Sequence, residues 1–293
     1  MTWVNAVVQG VMLGGFYALL ACGLSIMFGV MRIINLAHGD LAVLGAYVVW
    51  LLLARFNVPP YVALVVVLPM MLVVGYVLQI GILDRSLRSS VLTPLLATFG
   101  LSVVIQNLLL IAFSPDVRSL GGDAGAITTA SWKLSNDLSI PLLGLVILLV
   151  AVLIVAGLQL FLVRTRRGSI WRAASQDPDV AGLIGIDART VYATATAIAV
   201  AIAAVGGFFL TIRSTFEPVS GPTQLIFAFE AVVIGGMGSL AGTLVGGIVL
   251  GVAQTLGAQI NPQYAVLAGN LVFLAVLITR RGGGLLTAPG TSE

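Results

Sequence analysis

A chain of 293 residues that is 59% hydrophobic and 9% charged, with a mean hydropathy of +1.11, carries far less charge than the roughly 25% of a soluble domain. It reads as an all-α polytopic membrane protein: one transmembrane domain over 1–293, with about eight or nine helical spans of about 20 apolar residues, some of them broken. The net charge of +3 does not imply nucleic acid in such a chain, because its arginines act first as topology signals.

The opening MTWVNAVVQG has no positively charged n-region and its apolar run outlasts a cleaved signal peptide, so a retained first span is expected over Val7–Val30. Gly10 and Gly14, four apart, and Gly15 let neighbouring backbones approach where lipid supplies no hydrophobic drive. Then comes MRIINLAHGDLAVLGAY, from Met31 to Tyr47, placing Arg32, Asn35, the only histidine (His38) and Asp40 between two apolar segments. Such residues are expensive at bilayer depth. They predict a broken helix at the cytoplasmic end of the first two spans, with Asn35 or Asp40 capping a half-helix and Asn35, His38 and Asp40 lining or gating a path.

The second span, Leu41–Ala54, closes at a turn of Asn57, Pro59 and Pro60. Tyr61–Leu83 is the third; Asp84, Arg85 and Arg88 form a charged loop, and Val91–Phe113 is the fourth, tolerating Pro94 in its first turns. Gln106 and Asn107 within it suit interhelical hydrogen bonding. Residues 114–138, with Gly121, Gly122, Gly125, Asp116, Asp123 and Asp137, read as a long exposed external loop. After the fifth span, Ile140–Val163, the most charged stretch of the chain occupies 164–190 and cannot lie within the bilayer. The alanine-rich Val191–Ile212 is the sixth. Leu225–Ile260 is interrupted by GGMGSLAGTLVGG, whose Gly235, Gly236, Gly238, Gly242 and Gly246 predict close packing between two short or broken helices. Asn261, Pro262 and Gln263 form a turn before the last span, Tyr264–Thr279.

Nine spans with a cytoplasmic C-terminus place Arg85, Arg88, Arg164, Arg166, Arg167, Arg172, Arg189, Arg280 and Arg281 on one side, with Arg32 near it. Arg55, Arg118, Lys133 and Arg213 fall on the other. The excess marks the loop at 164–190 as cytoplasmic and that at 114–138 as external.

An enzyme is not indicated. The only lysine, Lys133, follows Trp132, so no GxxxxGK[ST] phosphate loop exists. One cysteine, Cys22, and one histidine exclude an intrachain disulfide and give neither a metal cluster nor a nucleophilic pair. Glu230, amid Phe227 and Phe229, is a second intramembrane ionisable residue and is expected to face the bundle interior or a water-filled path. Phe16, Tyr17, Phe28, Met27, Met31 and Met237 read as packing. Two rival readings are a proton-coupled transporter relaying through His38, Asp40 and Glu230, and an aqueous channel built on broken helices.

In the cytoplasmic loop, Asp177 stands where an N-cap should be, Pro178 at the first helical position and Asp179 in the first turn. A short helix with an apolar face of Val180, Ala181, Leu183 and Ile184 should end at Gly185. It serves either as a membrane-surface helix or as a docking element.

Three stretches, in order, resemble one family. G14-G-F-Y-A-L-L-A-C-G-L through I33-I-N-L-A-H-G-D40 and G45-A-Y47 looks like the amino-terminal signature of permeases of the branched-chain amino-acid class of ABC importers. R167-G-S-I-W-R-A-A-S-Q-D-P-D-V-A-G-L-I-G-I-D187 is similar to that family's coupling segment, and A231 to G251 to its glycine-rich carboxyl-terminal signature. The resemblance implies a multi-pass subunit of the bacterial inner membrane that pairs with a second related permease, binds two ATPase subunits and receives substrate from a periplasmic solute-binding protein. It also implies that Arg172, Ala173, Ala174, Asp177, Pro178, Asp179, Gly182 and Gly185 couple to the ATPases. This chain would bind no cofactor of its own, ATP and magnesium belonging to the partner ATPases.

Overall fold

The computed structural model describes residues 3–87, 92–120, 130–135 and 138–279. Arg88, Val91, Gly121, Gly122, Asp123, Gly125, Asp137, Arg280 and Arg281 fall outside the described residues.

Helix α1 (Trp3–Met31) is the axis of the bundle. Around it lie α2 (His38–Phe56), α3 (Pro60–Leu78), α4 (Asp84–Leu87), α5 (Thr93–Phe113), α6 (Leu142–Arg164), α7 (Arg166–Gln176), α8 (Pro178–Leu183), α9 (Ala188–Arg213), α10 (Gly221–Gly235), α11 (Leu240–Ile260) and α12 (Tyr264–Thr279). Seven of these runs are long and apolar enough to cross a membrane, the third continuing from α3 into α4 as Pro60–Leu87; α10 and α12 are shorter apolar helices. The break expected at GGMGSLAGTLVGG separates α10 from α11, and Ser239 caps α11 by accepting from the Gly242 N–H. Gly236 and Gly238 in the connector have φ of 100° and 84°, backbone that an L side chain rarely adopts.

Close approach explains which helices meet. α1 packs against α11, α9, α6 and α10. A Cβ on Gly14 would fall on the Ile248 backbone, and one on Gly247 would lie 2.7 Å from the Ala18 nitrogen and the Gly14 oxygen. On the same terms Gly15 faces Leu148, Gly235 and Gly242 face each other, and Gly246 meets the Ala231 carbonyl. Alanines take that role on α9, where Ala193, Ala195, Ala199, Ala203 and Ala204 are fully buried.

Helix ends sort into two faces. On one, an ion pair of 3.2 Å joins Arg189 to Asp84, and Trp171 of α7 helps line a cavity with the ends of α1 and α6 and the start of α11. On the other, Arg118 and Phe216 exchange backbone hydrogen bonds of 2.8 and 2.9 Å, and Gln9 donates to the Ser139 carbonyl at 2.9 Å.

Three features differ from the sequence reading. The segment at 114–138 is not all loop: β1 (Ser131–Ser135) and β2 (Leu138–Pro141) form an antiparallel hairpin, so Ile140 belongs to a strand and the fifth span starts after Pro141. Between α3 and α4, Gln79–Leu83 forms a π-helical turn, inside which the Gln79 Oε1 accepts from Thr196 Oγ1 at 2.6 Å. α7 is a helix where only charged loop was expected. It is capped by Thr165, whose Oγ1 accepts from the Gly168 N–H at 2.9 Å, and anchored by edge-on packing of Trp171 against Phe161, centroids 5.3 Å apart.

Gly247→Leu should overpack the α1–α11 contact and destabilise by about 1–3 kcal/mol or more, whereas Gly157→Leu, whose Cβ meets nothing within 4 Å, should stay within about 0.5 kcal/mol of wild type. Thermal unfolding of both variants in detergent checks this; equal effects would remove close approach as the cause.

Candidate functional site

The segment joining α1 to α2 does not sit at the end of the two spans, as the sequence suggested. Arg32 adopts φ 55°, which turns the chain back, so residues 32–37 climb along α1 into the bundle. His38 Nε2 meets the Leu20 carbonyl at 3.0 Å, about 16 Å along the axis from Met31 at the standard rise of 1.5 Å per residue. α2 therefore begins at bilayer depth, where every freed backbone group needs a protein partner.

Those partners are side chains. Asn35 Oδ1 accepts from the Ala37 N–H at 3.0 Å, its Nδ2 lies 3.6 Å from Met27 Sδ, and its carbonyl accepts from the His38 N–H at 3.2 Å. Thr98 of α5 accepts from the Leu36 N–H at 3.1 Å while donating to the Pro94 carbonyl at 2.9 Å. Because a carbonyl only accepts, the Nε2 of His38 carries the proton, leaving a buried Nδ1 with no hydrogen-bond partner. Asp40 Oδ2 accepts from Ser102 Oγ at 2.6 Å, and Gln106 Nε2 extends that chain to Ser102 Oγ at 3.0 Å. Asp40 also abuts Gly221, the first residue of α10, where a Cβ would collide with Oδ1.

Asn35, His38 and Asp40 are thus gathered into one enclosed knot between α1, α2, α5 and α10, each no more than 1% exposed. Neither Asn35 nor Asp40 caps α2: Ala37 stands at its N-cap without a side-chain bond, Asn35 closes a turn just ahead of it, and Asp40 ties α2 to α5. Glu230 is elsewhere: it lies on α10, 4% exposed, with Oε2 buried and without a hydrogen-bond partner. No hydrogen bond joins it to His38 or Asp40 among the described residues. Thr98 and Ser102 were missed in the sequence. The available signal was their place one turn apart on the face of α5 that also carries Gln106.

The loop at 164–190 is a second site. Asp177 Oδ1 accepts from the N–H groups of Asp179 and Val180, both at 3.0 Å, Pro178 opens α8, and Gly185 ends it with φ 82°. Ala181 packs inward, whereas Val180, Leu183 and Ile184 are 57%, 87% and 73% exposed. Arg172, Ala173 and Ala174 lie on α7, with Ala174 buried. Gly182 has open space around it. Asp187 then caps α9, accepting from Thr190 Oγ1 at 2.5 Å and from the Arg189 N–H at 3.1 Å.

The sequence pattern of the family described as "Branched-chain amino acid transport system / permease component" matches residues 6–279. The chain is 30% identical to the high-affinity branched-chain amino acid transport system permease protein BraD of Pseudomonas aeruginosa, over 98% of this chain and 96% of that protein. It is also 30% identical to LivH of Escherichia coli, over 94% of this chain and 92% of LivH. With LivM of the same organism the identity is 25%, over 93% of this chain and 68% of LivM. No solved structure matches the chain.

Two outcomes are expected here. Replacing Asp40 with Leu strands the Ser102 hydroxyl and should destabilise by about 1–3 kcal/mol, with Asp40→Asn milder because its amide oxygen still accepts; unfolding in detergent measures both. The Thr190 hydroxyl, ahead of the Arg189 and Thr190 amides, holds the Asp187 carboxyl below its ordinary 3.8. A carboxyl lowered in the folded state stabilises fully above the unfolded value and loses that contribution as pH falls through the lower, folded one. Protection of the Arg189 amide, its exchange measured relative to an unstructured amide at the same pH, should therefore hold above about pH 4 and weaken below it, and Asp187→Ala should leave that protection low and flat across the range.

Proposed function

Because the chain belongs to the branched-chain amino acid transport permease family, we propose that it is the membrane-spanning subunit of an ATP-driven importer for branched-chain amino acids or related small polar or carboxylate solutes. The sequence match over 6–279 supports the family's architecture across the described helices. Its partners in this reading are a second related permease, two cytoplasmic ATPase subunits that bind ATP and magnesium, and a periplasmic binding protein that delivers the solute. LivH and LivM of Escherichia coli both resemble this chain, which supports pairing between related permeases. The arginine-rich face, with α7, α8 and the C-terminus, is cytoplasmic in the bacterial inner membrane.

The observation that carries the reading is α8. A short helix capped by Asp177 and stopped at Gly185 presents Val180, Leu183 and Ile184 to solvent, apolar surface that fits a docking partner. Its base is tied to the bundle through Ala181 and through Arg189 to Asp84. ATPase closure displaces α8, and Arg172, Ala173, Ala174, Asp177, Pro178, Asp179, Gly182 and Gly185 form the connection that passes the movement to α7 and α9. Glycine- and alanine-packed helices then rock to alternate access. Asn35, His38 and Asp40 gate the path by holding the start of α2 inside the bundle, and Glu230 lines it.

Leu183→Asp and Gly182→Trp leave the fold intact, since Leu183 is exposed and Gly182 has open space around it. Each should weaken ATPase binding by about 2 kcal/mol or more, about 30-fold, read as loss of co-purifying ATPase and of ATP-driven uptake. Undiminished co-purification and uptake in both variants would overturn the docking role of α8.

A further inference from the structure

A second polar cluster lies where α1, α10 and α11 meet, apart from the knot around Asp40. Tyr17 is at its centre. Its hydroxyl donates to Gln254 Oε1 at 2.5 Å, and its ring packs against Phe227 with centroids 5.0 Å apart. Glu230 follows Phe227 by three residues and so shares its face of α10, one turn along. The Tyr17 ring also lies 6.0 Å, centroid to centroid, from that of its neighbour Phe16. Arg213 ends α9 and lies over the Phe16 ring, 5.0 Å from its centroid.

Two atoms of the cluster are buried without a hydrogen-bond partner: Glu230 Oε2 and Gln254 Nε2. Both side chains are 4% exposed. An acceptor and a donor left bare inside a bundle are costly unless something pairs them, and ionisable groups at this depth mark solute pathways. A positive and a negative group thus flank one tyrosine, with unused hydrogen-bonding capacity and two aromatic rings, Phe16 and Phe227, beside them.

We infer that Arg213, Tyr17, Gln254 and Glu230 form a binding site for the zwitterionic head of an α-amino acid with an apolar side chain. Arg213 takes the carboxylate through its planar pair of donors, aided by the free Gln254 N–H. Glu230 accepts from the ammonium, Tyr17 holds the spacing between the two, and Phe16 and Phe227 receive the side chain. Arg213 stands at the face opposite α7 and α8, and Glu230 lies further along α10, so a solute entering from that face meets the guanidinium first. This assignment deepens the importer reading above and rests on it.

The test uses the chain with its co-purified partners in proteoliposomes, loaded binding protein outside and ATP inside, with leucine, valine and isoleucine as probes. Arg213→Gln and Glu230→Gln should each lower uptake by about tenfold or more, the scale of a lost hydrogen bond to a charged group, while stimulation of ATP hydrolysis by loaded binding protein persists. Arg213→Lys and Glu230→Asp, which keep the charges, should retain more uptake than the neutral variants. Undiminished uptake in the neutral variants overturns the site, as does loss of uptake together with ATPase stimulation, or charge-keeping variants no better than neutral ones. A wild-type assembly that takes up none of the three amino acids under ATP would instead overturn the importer reading.

Discussion

Backbone-to-backbone contact between α1 and α11 is the constraint on which the rest of the molecule depends. In lipid, leucine against leucine gains little over leucine against acyl chain, so helices are held by how closely they can approach. Gly14 and Gly247 face each other across that seam, and Gly10 meets Thr255 and Val252 further along it. With its glycine edge against α11, α1 has its remaining surface free for α9, α6 and α10. Larger residues on the seam would push α11 outward and take α10 and α12, which lean on it, out of place.

A second consequence follows from the same central helix. The chain leaves α1 at Met31, reverses at Arg32 and re-enters beside it, which only a protein-lined interior permits. Asn35 and Thr98 replace the hydrogen bonds that a continuous helix would have supplied. The polar residues of this segment therefore build the backbone before they can do anything for a solute. Glu230 and Gln254 differ, because part of their hydrogen-bonding capacity is unspent.

Much of this was legible in the sequence, and the exceptions have physical reasons. The α8 cap was readable because Asp177, Pro178 and Gly185 act on their own neighbours. The α10–α11 break was readable because glycines needing positive φ announce it. The depth of the segment at 32–37 was not, since it depends on Arg32 adopting a backbone rare for its type and on Thr98, far away in sequence. α7 was hidden by its arginines, which suggested a solvated loop; the edge-on contact of Trp171 with Phe161 is a tertiary fact. Tyr17 looked like packing, and its ring does pack, yet the hydroxyl finds a partner in Gln254 from the other end of the chain. Periodicity reports which residues are apolar, not which polar atoms meet.

The attachment of α5 has a mechanical meaning. Only Pro94, Thr98, Ser102, Ile105 and Leu109 of this helix are buried, and its polar ties run to the start of α2 through Thr98 and Ser102. Hydrogen bonds of this kind keep register far better than they resist bending. Any slip of α5 along its axis by less than a turn would break two ties at once, the Thr98 bond to the Leu36 amide and the Ser102 bond to Asp40. α5 and the first turn of α2 therefore travel as a single cassette, and whatever repositions one carries the other with it.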